Sequence, residues 1–237
     1  MTSTAVAKKV SPAININNTA INTLAQGNSF VIANQISGAG AIANSADLSA
    51  SFKPLWDGNN LYLSVEVKDD VVDPASPSAL SASNQDGVEI MLDLDNSKGL
   101  TMDGMDDCKL TLVYGESTAD NTFGGFGASS CNTAGVETYS TLINGGYRID
   151  AKIPWSTLKV NPSLMDNQTI GFDVQVNDND GGESGRDSVI SYNGTSAGTI
   201  WNTPSAWGTL KLDPTLVSAT NNSSNSSSST NSDDCLI

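Results

Sequence analysis

Hydrophobic and polar side chains alternate along the middle of this chain with a period of two. Leu61, Leu63, Val65 and Val67 point one way, while Tyr62, Ser64, Glu66 and Lys68 point the other. Val88, Ile90, Leu92 and Leu94 oppose Glu89, Met91, Asp93 and Asp95; Leu110, Leu112 and Tyr114 oppose Lys109, Thr111 and Val113. The same pattern returns in Tyr147, Ile149, Ala151 and Ile153 against Arg148, Asp150 and Lys152, and in Phe172, Val174 and Val176 against Asp173, Gln175 and Asn177. Each run reads as a half-buried strand. Asp57-Gly58-Asn59-Asn60 and Asn144-Gly145-Gly146 stand between runs, where residues that tolerate positive φ make tight hairpins.

No stretch carries a sustained helical stripe. About ten short strands divided by Gly, Asn and Asp turns predict an all-β fold, an antiparallel β-sandwich of jelly-roll type. The expected organisation is a flexible N-terminal segment over 1–11, one sandwich over 12–214, and an Asn/Ser-rich flexible linker or tail over 215–237. The Gly-, Ser- and Asn-rich segment from Ser117 to Val136 is expected as a long loop between strands.

Composition narrows the chemistry. The chain has 237 residues, a formal net charge of −15 and no histidine. Its field repels nucleic acid and anionic lipid, so neither is an expected partner. No apolar run reaches the length of a bilayer-spanning helix, so membrane insertion is not expected, and the start MTSTAVAKKV lacks the apolar middle of a signal peptide. Without an imidazole, a Ser-His-Asp triad, a Cys-His pair and a His-held haem or zinc are excluded. Glu89 and Asp93 are a tempting glycosidase pair. Four residues apart on one strand, their backbones lie roughly 13 Å from each other, too far for either glycosidase geometry.

Hard oxygen ligands are plentiful. Asp93, Asp95 and Asn96 end one strand while Asp103, Asp106 and Asp107 precede the next, and a hairpin would gather them into a calcium site. The alternative is a solvated acidic loop, and neither DLDNSKG nor NDNDGGE fits an EF-hand. Asp69, Asp70 and Asp73 form a weaker second cluster. Cys108 and Cys131 either bridge or remain two buried thiols; spacing alone leaves both open. Asn17, Asn167, Asn193 and Asn221 begin Asn-x-Ser/Thr triplets, which an Asn- and Ser-rich chain also produces by chance.

Among the tryptophans, Trp56, Trp155 and Trp207 are expected in the core, because each adjoins an apolar run. Trp201 lies in a polar segment, where its ring could present a flat face to the C–H face of a sugar.

The series SFKPLWDGNNLYLSVEVKDD, NQDGVEIMLDLDNSKG, GGYRIDAKIPWSTL, IGFDVQVNDNDGGESGRDSVISY and WNTPSAWGTLKL resembles the family 9 carbohydrate-binding modules, relatives of the DOMON-type sandwiches. That resemblance implies a non-catalytic module of a secreted or cell-surface polysaccharide-degrading protein, with structural calcium. It also implies a polysaccharide or oligosaccharide ligand, and a catalytic domain or cell-surface partner tethered beyond the tail. It sets Trp201 on one sugar-gripping aromatic, and Glu89 and Gln175 on polar sugar ligands. Arg186 and Tyr192 follow nearby and could contribute donors or stacking. Two positions depart: Ser83 stands where the family has a second aromatic, and Thr111 where it has an arginine. The competing expectation is a structural or adhesive sandwich that has lost its sugar site.

Overall fold

The computed structural model describes residues 2–16, 27–36, 40–73, 80–120, 131–181, 185–196 and 200–218. Asn17, Asn221 and most of the Asn/Ser tail therefore lie outside the described residues, as does the centre of the expected 117–136 loop. Thirteen strands occur among the described residues: β1 Thr4–Ser11, β2 Phe30–Ile32, β3 Asn34–Gln35, β4 Leu48–Trp56, β5 Asn60–Asp69, β6 Gly87–Asp93, β7 Asp107–Val113, β8 Ala119–Asp120, β9 Glu137–Ile143, β10 Gly146–Pro154, β11 Thr169–Asp178, β12 Ser188–Ser191 and β13 Gly208–Ser218. Alternation predicted β5, β6, β7, β10 and β11, whereas β1, β4, β9 and β13 are as long and were not read from it. The short β2, β3 and β8 carry too few residues for a period to register.

The strands follow one another in the order β8-β7-β6-β11-β13-β1-β4-β5-β10-β9, and this ribbon doubles over into two layers. Val88, Ile90, Leu110 and Val174 from one end of the ribbon join Leu63, Val65, Ile149 and Ala151 from the other in a single core. Phe172 meets Phe52 across it with ring centroids 5.5 Å apart.

Two expectations are corrected at the fold of the ribbon. Residues 4–11, expected as flexible, form β1, which is parallel to β13 and, through Lys8 and Lys9, to β4. The sheet is thus mixed rather than wholly antiparallel, although the other pairs are antiparallel. Chain ends far apart in sequence need no hairpin between them, so either direction is open to them. Ala5 and Ala7 are fully buried there, small enough to pass between the layers. The strand β13 likewise continues to Ser218, past the expected boundary.

Local chemistry fixes the turns. Asp57 accepts the amides of Asn59 and Asn60 through one oxygen at 2.6 and 2.7 Å, closing the β4–β5 hairpin. At the β9–β10 hairpin Gly146 has φ of 143°, and a Cβ there would stand 2.1 Å from the Val67 carbonyl, so only glycine fits. Cys108 and Cys131 are joined as a disulfide with their Cα atoms 5.4 Å apart, which ties β7 to the segment before β9.

The core tryptophans are placed as expected. Trp56, Trp155 and Trp207 are fully buried, their indole N–H groups donating to the carbonyls of Asp213, Asp57 and Ile200. No helix among the described residues is long and apolar enough to cross a membrane.

Candidate functional site

The register of three strands builds a polar face on the side of β6 away from the core. Glu89 lies directly opposite Gln175 of β11 and Thr111 of β7. Parity then sets Lys109 on the same face of β7, and Asp173 and Asn177 on the same face of β11.

A continuous run of polar contacts crosses this face. Lys109 Nζ pairs with Glu89 Oε2 at 2.8 Å, and the same oxygen accepts from Gln175 Nε2 at 3.0 Å. Gln175 Nε2 also donates to Asn177 Oδ1 at 3.0 Å, and Arg186 Nη1 donates to that oxygen at 2.9 Å and to the Ser83 carbonyl at 3.2 Å. Glu89, Gln175 and Asn177 are almost wholly buried, yet Glu89 Oε1, Gln175 Oε1 and Asn177 Nδ2 have no partner. Buried polar atoms are nearly always paired, so three orphans in one contiguous cluster set this face apart.

The expected residues divide between this face and the core. Glu89, Gln175 and Arg186 converge. Tyr192 does not, which corrects its expected role. Ser191 is the residue opposite Gln175, so Tyr192, one position on, is turned to the other side of the sheet. Its ring packs in the core at 5.0 Å from Phe52 and 6.3 Å from Phe30. Thr111 and Ser83 stand beside the site, the first in cross-strand register with Glu89, the second offering its carbonyl to Arg186.

Trp201 is half-buried in the turn following Ile200. Ile200 and Trp207 pack with Met91 and Val189, which project from the polar face of β6 and β12, and so anchor this turn beside it. Four further hydrogen bonds stitch the turn and the start of β13 to the β6–β7 hairpin: Met102 N to Asn202 O, Ser205 N to Gly99 O, and Lys98 Nζ to the carbonyls of Trp207 and Gly208. Sequence alone left Lys109 and Asn177 out of the candidate site, though both join its run of polar contacts; the signal available was their parity with Thr111 and Gln175.

The acidic hairpin partly assembles as expected. Asp93, Asp95 and Asp106 each offer a carboxylate oxygen within 4.8 Å of the others. Asp107 Oδ1 and Asn96 Oδ1 are buried nearby without partners. Burial, with repulsion from Asp93, Asp103 and Asp106, pushes Asp107 up to about 6. Asp103 departs from the expected set: its Oδ1 accepts the amides of Met105 and Asp106 and serves the turn.

A second carboxylate centre is more deeply enclosed. Asp69 at the end of β5, Asp86 before β6 and Asp178 at the end of β11 are buried with oxygens within 4.8 Å of one another. The expected cluster of Asp69, Asp70 and Asp73 is therefore corrected. Asp70 joins Asp69 and Asp180 instead, and Asp73 contributes its backbone N–H to Asp86 Oδ2 at 2.7 Å. Burial, reinforced by the neighbouring carboxylates, raises Asp86 to about 8 and Asp178 to about 7. Asp69 Oδ2 and Asp178 Oδ1 lack partners. Hard oxygens, a shared focus and orphaned lone pairs fit a calcium ion at both centres.

Residues 23–215 match the family described as "Carbohydrate family 9 binding domain-like". The chain is 37% identical over 166 residues to Endo-1,4-beta-xylanase A of Thermotoga neapolitana, covering 69% of this chain and 14% of that protein. Exoglucanase XynX of Acetivibrio thermocellus is 30% identical over 171 residues, covering 72% of this chain and 14% of its own length. The chain thus spans only a small part of these curated relatives. Among solved structures, a family 9 carbohydrate-binding module from Caldicellulosiruptor kristjanssonii in complex with cellotriose superposes with a TM-score of 0.68 at 24% identity, covering 90% of this chain and 94% of the module. The same module in complex with glucose gives the same score. This likeness establishes the fold.

Proposed function

The chain belongs to the carbohydrate family 9 binding domain-like family, and from that premise we propose that it is a non-catalytic module that binds a neutral glycan on the β7-β6-β11 face. The observation that carries this reading is the trio of buried, unpartnered atoms Glu89 Oε1, Gln175 Oε1 and Asn177 Nδ2, with half-buried Trp201 in a turn anchored through Ile200 on Met91 of the same face. A pyranose offers what such a face lacks: hydroxyl donors for the two oxygens and an apolar C–H face for Trp201. A micromolar to millimolar dissociation constant, about 4 to 8 kcal/mol, needs one stacked ring and a few hydrogen bonds.

Cello- and xylo-oligosaccharides are the ligand classes to test first, given the names of the relatives and the sugars in the solved neighbours. In a multidomain protein such binding would hold a catalytic partner near its polysaccharide by raising effective concentration. Calcium belongs to the reading as a structural ion. Asp69, Asp86 and Asp178 would hold one ion where β5 of one layer meets β6 and β11 of the other. Asp93, Asp95 and Asp106 would hold a second at the hairpin that anchors the Trp201 turn. The Cys108–Cys131 bridge suits a secreted or cell-surface location.

The test is titration calorimetry with cellotriose and xylotriose in calcium. Saturable heat lost in Trp201→Ala supports the reading; no heat with either sugar, and no retention on polysaccharide, overturns it. A second reading, a structural or adhesive sandwich, is favoured by Ser83, which offers Arg186 a carbonyl where the family resemblance has an aromatic. Absence of glycan binding with an intact fold would select it. Release of reducing sugar from xylan or cellulose would contradict the non-catalytic assignment.

A further inference from the structure

The contacts across the polar face run between two cations, and their direction is set from both ends. Arg186 has only donors, so the Asn177 atom facing it must be Oδ1, and the Nδ2 group is turned to the other side. Gln175 Nε2 bridges two acceptors, Glu89 Oε2 and Asn177 Oδ1, which fixes that amide with its oxygen unpaired. Lys109, itself almost buried, holds Glu89 Oε2 and leaves Oε1 unpaired. Each side chain therefore spends one atom within the chain of contacts and leaves one: acceptor, acceptor, donor.

We infer that Asn177 is a third sugar-contacting residue, donating to a ligand oxygen, and that Lys109 and Arg186 are positioning residues that fix which atoms of Glu89 and Asn177 meet the sugar. This rests on the sugar-binding reading above and deepens it. The ligand it selects gives two hydroxyl protons, to Glu89 Oε1 and Gln175 Oε1, and accepts one from Asn177 Nδ2. A carboxylate placed against the first two atoms would meet only lone pairs, so a uronic acid is rejected at that position.

The decisive variant is Asn177→Asp, which keeps Oδ1 for Gln175 and Arg186 but replaces the unpaired donor by an acceptor. Cellotriose and a set of its monofluoro-deoxy derivatives, in which fluorine accepts weakly and cannot donate, are titrated into wild type and variant in calcium. In wild type, fluorination is tolerated at the one hydroxyl that accepts from Asn177 and costs at least tenfold where hydroxyls donate. Asn177→Asp weakens cellotriose at least tenfold and makes the formerly tolerated position intolerant. Lys109→Met and Arg186→Leu also lose at least tenfold, and Lys109→Arg restores most of the Lys109 loss.

A wild type that binds no glycan overturns the function and the inference together. Wild-type binding that Asn177→Asp leaves within twofold, with an unchanged fluorine profile, overturns the inference alone. Undiminished binding by Lys109→Met or Arg186→Leu overturns that residue's positioning role. Should Asn177→Asp fail to fold, the side-chain amide resonances of Asn177 in wild-type protein decide: a shift on titration supports the contact, and an unmoved pair of signals excludes it.

Discussion

Glu89 and Gln175 face each other across β6 and β11 with Gln175 Nε2 3.0 Å from Glu89 Oε2, and each retains a buried oxygen with no partner. An unmet buried acceptor costs about 1 to 3 kcal/mol, which the contact between the two side chains does not by itself offset. The two residues are 86 positions apart and stand in register on one polar face of the sheet.

Trp201→Ala is expected to weaken glycan binding by about 1 to 3 kcal/mol, by analogy with stacking on nucleobases. The melting temperature should stay close to wild type, since the indole is only half-buried. Calorimetry and thermal denaturation on the same preparation check both, and equal affinity in the variant would remove Trp201 from the site.

Tyr192→Ala should behave in the opposite way. Its ring is enclosed with Phe52 and Phe30, so truncation is expected to cost about 3 to 5 kcal/mol of stability. Chemical denaturation measures the loss. Tyr192→Phe, which keeps the ring, should retain most stability and all glycan affinity.

Metal-free protein should lose stability as pH rises. Burial raises Asp107 and Asp173 to about 6, Asp178 to about 7 and Asp86 to about 8. The native state therefore holds protons that the unfolded chain has already released. Stability is greatest near the ordinary carboxylate range and falls as pH passes from about 4 to about 8. Calcium binds the ionised form, so its stabilisation should grow over the same interval. Melting curves at pH 5 and 8, with calcium and with EDTA, check this; superimposable curves would count against both ion sites.

Chelation should also weaken glycan binding. Lys98 joins the acidic hairpin to the carbonyls of Trp207 and Gly208, so a loosened hairpin releases the turn carrying Trp201. Titration in EDTA at a temperature where the fold persists should give at least a several-fold weaker affinity than in calcium. Identical affinities would uncouple the hairpin from the site.

Replacing Cys108 and Cys131 by serine opens a loop of 23 residues, for which chain entropy predicts a loss of about 3 kcal/mol, or about 6 to 12 °C in melting temperature. A double variant that melts with the wild type would mean that the bridge leaves the unfolded chain no less free.

Period-two alternation alone determined which residues of β5, β6, β7, β10 and β11 face the core, because a strand's two faces follow from local geometry. For the same reason Glu89 and Gln175 could be assigned to the polar face without coordinates. Tertiary structure decided what parity cannot carry. It brought the N-terminal β1 against β13, gathered Asp86 and Asp178 with Asp69 from three strand ends, and turned Tyr192 inward at the end of β12. Joining Lys109 and Arg186 to one set of contacts likewise required strand order and register, which are set by packing between residues remote in sequence.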